Sequence, residues 1–447
     1  MTLSCTRLNL LPVKLLAISF RYPPILYPRS IQVARLLVHL QVSSVVVCAD
    51  EKSEYIDATI QPNGDCVPVD CLRVPFHSQS EIRIFSSIKA RFSGALLNRI
   101  PDQYRSWKPA VLTAVEELIN SGFKPDVIVS FAQPMSDHLI GLKLSRRYNL
   151  PWVAHFSDPW VDNPFNEYNP LTGAINAHQE RTVIGAATKL IFTSKETLEL
   201  VLEKYPKEWK DKSIVIPHAF DPRRYPQRQV RDDDKLTVRY LGDFYRHRTP
   251  KPLFDALQII VRSDPSVLKD VRFELIGWNE DPTLSETKLE KLPEGLVSIK
   301  PSVNYQKSIA LMVSADGLLI IDAPLDNSVF LPSKLVDYIG AGRPILGITP
   351  LGTAANLIME LGGLVADPRD AEATARVIRS FLSLLRKNRD ACLPVWGNPS
   401  VRNLFEIERV AADFQDILQD LVKTKVESRT KLNARCKLPK RKMESLL

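Results

Sequence analysis

The feature that most constrains this chain is a rhythm, in which short apolar runs bounded by turn residues alternate with segments of helical periodicity, twice over. In the first half the runs are Val13 to Ser19, Ser44 to Cys48, Asp126 to Phe131, Trp152 to His155, Lys189 to Thr193 and Ile214 to Ile216. Each is short and mainly apolar, and reads as a buried strand. Helical patterns fall between several of them, at Ile31 to Leu40, Ala110 to Ile119, Asp137 to Tyr148 and Lys195 to Lys204. The second half repeats the scheme, with strands expected at Leu236 to Leu241, Val271 to Ile276, Leu296 to Lys300, Gly317 to Ile321 and Pro344 to Ile348. Helices are expected there at Pro252 to Val261, Tyr305 to Ser314, Ser333 to Ala341, Gly352 to Leu361 and Ala371 to Leu385. Such alternation predicts an α/β protein with parallel sheets, here two tandem Rossmann-like domains facing an interdomain cleft.

The break between the halves is legible at Pro217-His218-Ala219-Phe220-Asp221-Pro222 and the polar stretch that follows, where prolines and charges replace apolar periodicity. The expected division is an N-terminal domain over 13–217, a linker over 218–235, a C-terminal domain over 236–390, a helix over 400–422 and a basic tail over 423–447. Open α/β sheets bind ligands beyond the carboxyl ends of their strands, so the chemistry is expected in the cleft.

Composition narrows the setting. With 447 residues, 45% apolar and 25% charged, the chain is long enough for two ordinary cores. Lys14, Arg21 and Arg35 interrupt its most apolar N-terminal part, so no membrane-spanning helix is expected. Asn9 to Phe20 resembles a weak leader core, but Lys14 lies within it and no small-x-small cleavage site follows before the prolines. The six cysteines include no C-x-x-C pair, which fits reduced thiols in a cytoplasm. The net charge of +8 is concentrated between Lys423 and Lys442, where nine Lys or Arg face one acid. A tail of this kind is expected to be solvated and disordered, or attracted to anionic lipid. The stretch Arg83 to Ile100 adds an apolar stripe (Ile84, Ile88, Phe92, Ala95, Leu96) flanked by Arg83, Lys89, Arg91 and Arg99, a pattern suited to a membrane surface or to packing on its own domain.

Two segments suggest an anion site. After the strand ending at Leu241 come Gly242, Arg246, Arg248 and Lys251 before a helix, and glycine, cations and a helix N-terminus together suit a diphosphate. An ordinary Arg-rich surface turn would read the same way. Farther on, Pro332 and Gly342 bracket a helix bearing Ser333, Lys334 and Asp337. Ser333 and Lys334 could meet phosphate while Asp337 accepts ribose hydroxyls, or Lys334 and Asp337 could simply pair along the helix. The histidines and cysteines show no metal-binding spacing, and no metal or other cofactor is expected beyond a donor substrate.

Taken in order, Tyr240, Gly242, Arg248, Gly277, Phe330-Leu331-Pro332-Ser333-Lys334, Asp337 and Gly340-Ala341-Gly342-Arg343-Pro344 resemble the donor-binding half of family 4 retaining glycosyltransferases of the GT-B fold. The N-terminal half is similar to the family's as well, with Lys14 to Ser19 and Tyr22-Pro23-Pro24 as the opening strand and loop, Pro125 to Ile128 as the central strand, and Ile214 to Asp221 as the linker. The resemblance implies a nucleotide-diphosphate sugar held by the C-terminal domain. Gly242, Arg248, Lys251, Ser333 and Lys334 would line the diphosphate, and Asp337 would bind ribose as the second carboxylate of the family's E-x7-E motif. Val329 stands where the first glutamate belongs. The glycine-rich acceptor loop is also absent, replaced by Ile25 to Ser30.

On the acceptor side, Asp158 matches a family carboxylate just past a strand end, with His155 as second candidate for the catalytic group. Each has a plainer reading, as a turn residue and a core histidine respectively. The expected function is transfer of a sugar to a glycan or lipid-linked acceptor in cell-envelope synthesis, by a cytoplasmic protein that can meet the membrane face. The alternatives are a nucleotide-sugar 2-epimerase of the same fold and a non-catalytic nucleotide-sugar- or nucleic-acid-binding protein, though nucleic acid is not the expected partner.

Overall fold

The computed structural model describes residues 13–51, 56–60, 68–76, 100–228, 234–281, 289–390 and 395–436. Its N-terminal sheet is parallel, with strands β1 (Lys14–Ile18), β2 (Ser43–Asp50), β3 (Val69–Pro75), β4 (Val127–Phe131), β5 (Trp152–Phe156), β6 (Lys189–Phe192) and β7 (Ser213–Val215) in the order β3-β2-β1-β4-β5-β6-β7. The second sheet, also parallel, is built from β8 (Leu236–Leu241), β9 (Val271–Ile276), β10 (Val297–Lys300), β11 (Gly317–Ile321), β12 (Ile345–Ile348) and β13 (Leu364–Ala366), in the order β10-β9-β8-β11-β12-β13. Both follow the doubly wound scheme in which strand order reverses beside the first strand. That reversal opens a crevice between β1 and β4 in one sheet and between β8 and β11 in the other.

Helices cover both faces of each sheet. On one face of the first, α1 (Pro28–Leu37) buries Val33, Ala34 and Leu37 with Val46, Val129 and Val153 of the strands. On the other, α2 (Trp107–Asn120) and α3 (Ser136–Tyr148) bury Trp107, Val111, Val115, Ile140 and Leu144. Two of the elements that were not legible in the runs bear on the site. The edge strand β3 has one neighbour and is half exposed, so Val69-Asp70-Cys71-Leu72-Arg73-Val74 never forms an apolar run. The helix α4 (Pro170–Ala186) turns a polar stripe inward, Thr172, Asn176 and Glu180. Trp160 Nε1–H donates to Asn176 Oδ1 at 2.9 Å, and the Val161 N–H and Tyr205 hydroxyl donate to the two Glu180 oxygens at 2.9 and 2.7 Å. These bonds satisfy the buried polar groups and pin the loop after β5.

After α5 (Lys195–Leu202) and the short α6 (Glu208–Asp211), the chain enters the C-terminal sheet, covered by α7 (Lys251–Ser263), α8 (Tyr305–Ser314), α9 (Ser333–Ala341), α10 (Thr353–Glu360) and α11 (Ala371–Asp390). It then returns through α12 (Pro399–Asn403) to α13 (Ile407–Cys436), whose Ile407, Val410, Ala411, Phe414 and Leu418 pack into the core of the first sheet. Phe220 bonds its N–H to the Phe405 carbonyl at 2.8 Å and accepts the Ile407 N–H at 2.9 Å, tying linker to return crossing. The segment expected as a helix over 400–422 is α12 and the start of α13, and α13 runs on past residue 423 to Cys436, while the rest of the basic tail, 437–447, lies outside the described residues. Lys and Arg are good helix formers, and no Gly or Pro interrupts the sequence before Pro439. The basic, apolar-striped stretch from Arg83 to Ile100 lies outside the described residues except for Ile100 itself. No helix of the described residues is long and apolar enough to cross a membrane.

Candidate active site

The crevice between β8 and β11 gathers the cations. Gly242 follows β8 with φ at 143°, a conformation that favours glycine, and a Cβ there would meet Lys334 Nζ at 2.5 Å and push the end of the lysine aside. Lys334, in the first turn of α9, donates to the Tyr240 hydroxyl at 2.7 Å, with Nζ 4.1 Å from that ring's centroid. Arg248, in the loop from β8 to α7, crosses the crevice and donates from Nη2 to Asp322 at 3.0 Å, just past β11. Asp322 is held in turn by the Thr349 hydroxyl at 3.0 Å. One carboxylate thus pairs with Arg248, Lys334 is bonded to a neutral phenol, and buried Arg248 Nε has no protein partner. Desolvation and the Arg248 charge push the Lys334 pKa well below the usual lysine value. An arriving anion would relieve that repulsion.

The other donor-side residues divide. Ser333 opens α9, half-buried at the helix N-terminus. Lys251 opens α7 but pairs with Asp255 one turn on, at 2.6 Å on the surface, so it is drawn along its own helix. Asp337 departs most from expectation. Its Oδ1 accepts from Arg35 at 3.1 Å, from the Tyr305 hydroxyl at 3.0 Å and from the Tyr225 hydroxyl at 3.4 Å. Arg35 comes from α1 of the other domain, also donates to Tyr305 and to the Ala219 carbonyl, and is buried. Asp57 adds to the same contact by accepting the Tyr305 N–H at 2.7 Å. Asp337 turns away from Lys334, and its Oδ1 joins the two domains.

The opposing wall comes from the N-terminal domain. Asp158 follows β5, half-buried, and accepts from Ser157 Oγ at 3.2 Å. Desolvation raises its carboxyl pKa, and the Arg29 charge opposes the shift only in part. Tyr27, at the head of α1, has its pKa raised, chiefly by burial, and Tyr245 accepts from Arg248 Nη1 at 3.3 Å. Asp158 thus lies just past a strand end of the N-terminal domain and Arg248 in the loop after β8 of the other.

His155 does not join them. Its ring points the other way from Phe156, into the core beside Phe131 and Phe414, and is 4% exposed. Arg29 Nη2 donates to its Nδ1 at 2.9 Å, and because arginine can only donate, the ring proton sits on Nε2. Desolvation, then the charge of Arg29, holds its pKa well below the usual value. A neutral histidine sealed in the core cannot pass protons in the cleft.

Sequence reasoning also missed a second bridge between the domains. The carbonyl of Val329, at the position of the absent glutamate, accepts from Ser194 Oγ and Thr197 Oγ1 at 2.8 Å each and from Thr353 Oγ1 at 3.0 Å. Ser194 is the N-cap of α5, and Glu196 beside it accepts from Thr353 at 2.8 Å. The Ser-x-x-Thr at a helix start was the available signal, but it reads only as a cap. Among the described residues one trio could offer three metal ligands, His39, Asp221 and Glu408. Arg223 already bridges it, donating to Asp221 at 2.9 Å and to His39.

Two parallel doubly wound sheets facing a cleft define the GT-B architecture of glycosyltransferases. Residues 29–219 match the family model of the glycosyl transferase 4-like domain, so the resemblance to family 4 is borne out. No curated protein matches the sequence. Solved structures share the fold at low identity. Sucrose-phosphate synthase from Thermosynechococcus elongatus is 15% identical, with a TM-score of 0.64 over 92% of this chain and 100% of its own. HepE from Anabaena, in complex with UDP and glucose, is 15% identical with a TM-score of 0.59 over 91% and 100%. The lipopolysaccharide outer core galactosyltransferase WaaB is 12% identical with a TM-score of 0.57 over 92% and 100%. The chain is glycosyltransferase-like in fold and N-terminal family.

Proposed function

We propose that this protein is a retaining glycosyltransferase that moves a sugar from a nucleotide-diphosphate sugar to a hydroxyl of a glycan or lipid-linked acceptor in cell-envelope polysaccharide synthesis, at the cytoplasmic membrane face. The observation that supports it best is the placement of Arg248, paired with Asp322, and of Lys334, bonded to the Tyr240 hydroxyl, beside Gly242 at the crevice where this fold receives ligands. The diphosphate would replace the missing negative charge, taking hydrogen bonds from Arg248 and Lys334 and facing the N-terminus of α9 at Ser333. As the glycosidic bond breaks, charge grows on the leaving phosphate, and fixed cations stabilise it without a metal. Asp158, with its carboxyl pKa raised above the usual value, would orient the acceptor hydroxyl and take its proton. HepE was solved with UDP and glucose, which favours a UDP-sugar donor, and the outer-core activity named for WaaB favours an envelope acceptor.

The test is product analysis with labelled UDP- and GDP-sugars. Nucleotide release should depend on added acceptor, and the new glycosidic bond should keep the donor's anomeric configuration. Conversion of the donor sugar without acceptor would mark the 2-epimerase alternative, and tight binding without turnover the non-catalytic one.

A further inference from the structure

The helix α1 carries two arginines, Arg29 and Arg35, that are buried against the rest of the N-terminal domain. Between this helix, the ends of β4 and β5, the linker and α13 lies a cavity of about 20 Å³. Arg29, Arg35, His155 and His218 line it, with Val33, Ile216 and Val410 among its apolar walls. Arg35 uses its two Nη atoms on the Ala219 carbonyl, the Tyr305 hydroxyl and Asp337, while its buried Nε has no partner. Arg29 donates from Nη2 to the ring and the carbonyl of His155, at 2.9 and 3.2 Å, and its buried Nε has no partner either. The two charges differ in their balance. Asp337 pairs with Arg35 at 3.1 Å, but no carboxylate among the described residues pairs with Arg29. Burial lowers the Arg29 pKa to about 10, against the opposing pull of Asp158 and Asp137. His155 and His218, with ring centroids 6.3 Å apart, have their pKa values lowered by burial first and the Arg29 charge next, so neither supplies charge of its own. What faces the cavity is therefore a set of unused N–H donors and one positive charge without a contact partner, an arrangement that is costly in an apolar wall.

We propose that this cavity binds a monatomic halide, chloride above all, held by Arg29 Nε and Arg35 Nε. Size and charge both select it. A water needs about 10 to 15 Å³ of such volume, so a cavity of about 20 Å³ admits one particle of that size and excludes phosphate, sulfate and carboxylates. Water is the competing occupant, but it brings protons of its own that need acceptors, where the unmatched groups are guanidinium donors. A halide only accepts, and it neutralises Arg29. The ion would tie α1 to the linker at Pro217 to Ala219 and to α13, directly behind the bridge from Arg35 to Asp337. Its binding therefore stabilises the hinge region of the folded chain. The site is assembled without any residue of the diphosphate crevice, so it does not rest on the proposed function.

The experiment is thermal unfolding of the full chain, without nucleotide, in sodium chloride against sodium gluconate at matched ionic strength. The midpoint should rise with chloride and saturate, as a ligand that binds only the folded state requires, and gluconate should give no such rise. Bromide should replace chloride, and crystals soaked in millimolar bromide should show its anomalous signal in the cavity beside Arg29. The variant Arg29→Met should weaken the halide roughly tenfold to a hundredfold, while Arg248→Ala should keep the full response. If Arg29→Met does not fold, the bromide position and the chloride–gluconate comparison in wild type decide the question. Equal effects of chloride and gluconate, a wild-type response in Arg29→Met, or a response lost in Arg248→Ala would overturn the proposal. So would an adventitious ion only, with bromide entering the cavity at molar concentration alone, or a water there in crystals soaked in millimolar bromide.

Discussion

Asp337→Ala should cost the folded protein about 3 to 5 kcal/mol while leaving nucleotide affinity little changed. The carboxylate pairs with Arg35 at 3.1 Å, with side-chain exposures of 13% and 7%, and removing it strands a buried guanidinium between two phenols. The cost arises from that orphaned charge more than from the lost attraction, so Arg35→Met combined with Asp337→Leu should recover most of the stability. Equilibrium urea unfolding reads both variants, and the weakened contact between domains should also broaden or split the transition. A variant as stable as wild type that binds nucleotide much less tightly would instead return Asp337 to the ribose.

Asp158→Ala should lose at least about a hundredfold in turnover with donor affinity nearly intact, since a group that acts on the acceptor proton contributes to the transition state and not to donor binding. The pH profile carries the same information. The free carboxyl is raised by desolvation and acts as base only when ionised, so kcat/KM should rise with pH through that raised pKa. The Asp158→Ala variant should lack this limb. His155→Ala should behave differently, destabilising the domain because Arg29 then loses its buried acceptor at Nδ1. Should His155→Ala fold normally and abolish turnover while Asp158→Ala retains it, the acceptor chemistry assigned to Asp158 is wrong.

How much of this could be read from the residues differs by element. The strands at Gly317–Ile321 and Ile345–Ile348 were legible because burial on both faces leaves an unbroken apolar run. The inward stripe Thr172, Asn176 and Glu180 was not, because its partners Trp160, Val161 and Tyr205 come from neighbouring segments and polar periodicity normally marks a solvated face. The motif around Pro332-Ser333-Lys334 located α9 and its place beside Gly242. It could not say which way Asp337 turns, since Arg35 lies 302 positions earlier and meets it only when the two domains close together. Asp322, which positions Arg248, carried no local signal beyond lying one residue past a strand.

The central claim is that Arg248 and Lys334 hold a nucleotide diphosphate, and calorimetry of the wild-type protein and of Arg248→Ala with UDP, GDP and their sugars tests it most directly. A charge-assisted contact to phosphate contributes about 1.5 to 3 kcal/mol, so one of these nucleotides should bind wild type and Arg248→Ala should bind it roughly tenfold to a hundredfold more weakly. No binding of any nucleotide, or equal affinity in wild type and Arg248→Ala, would contradict the account.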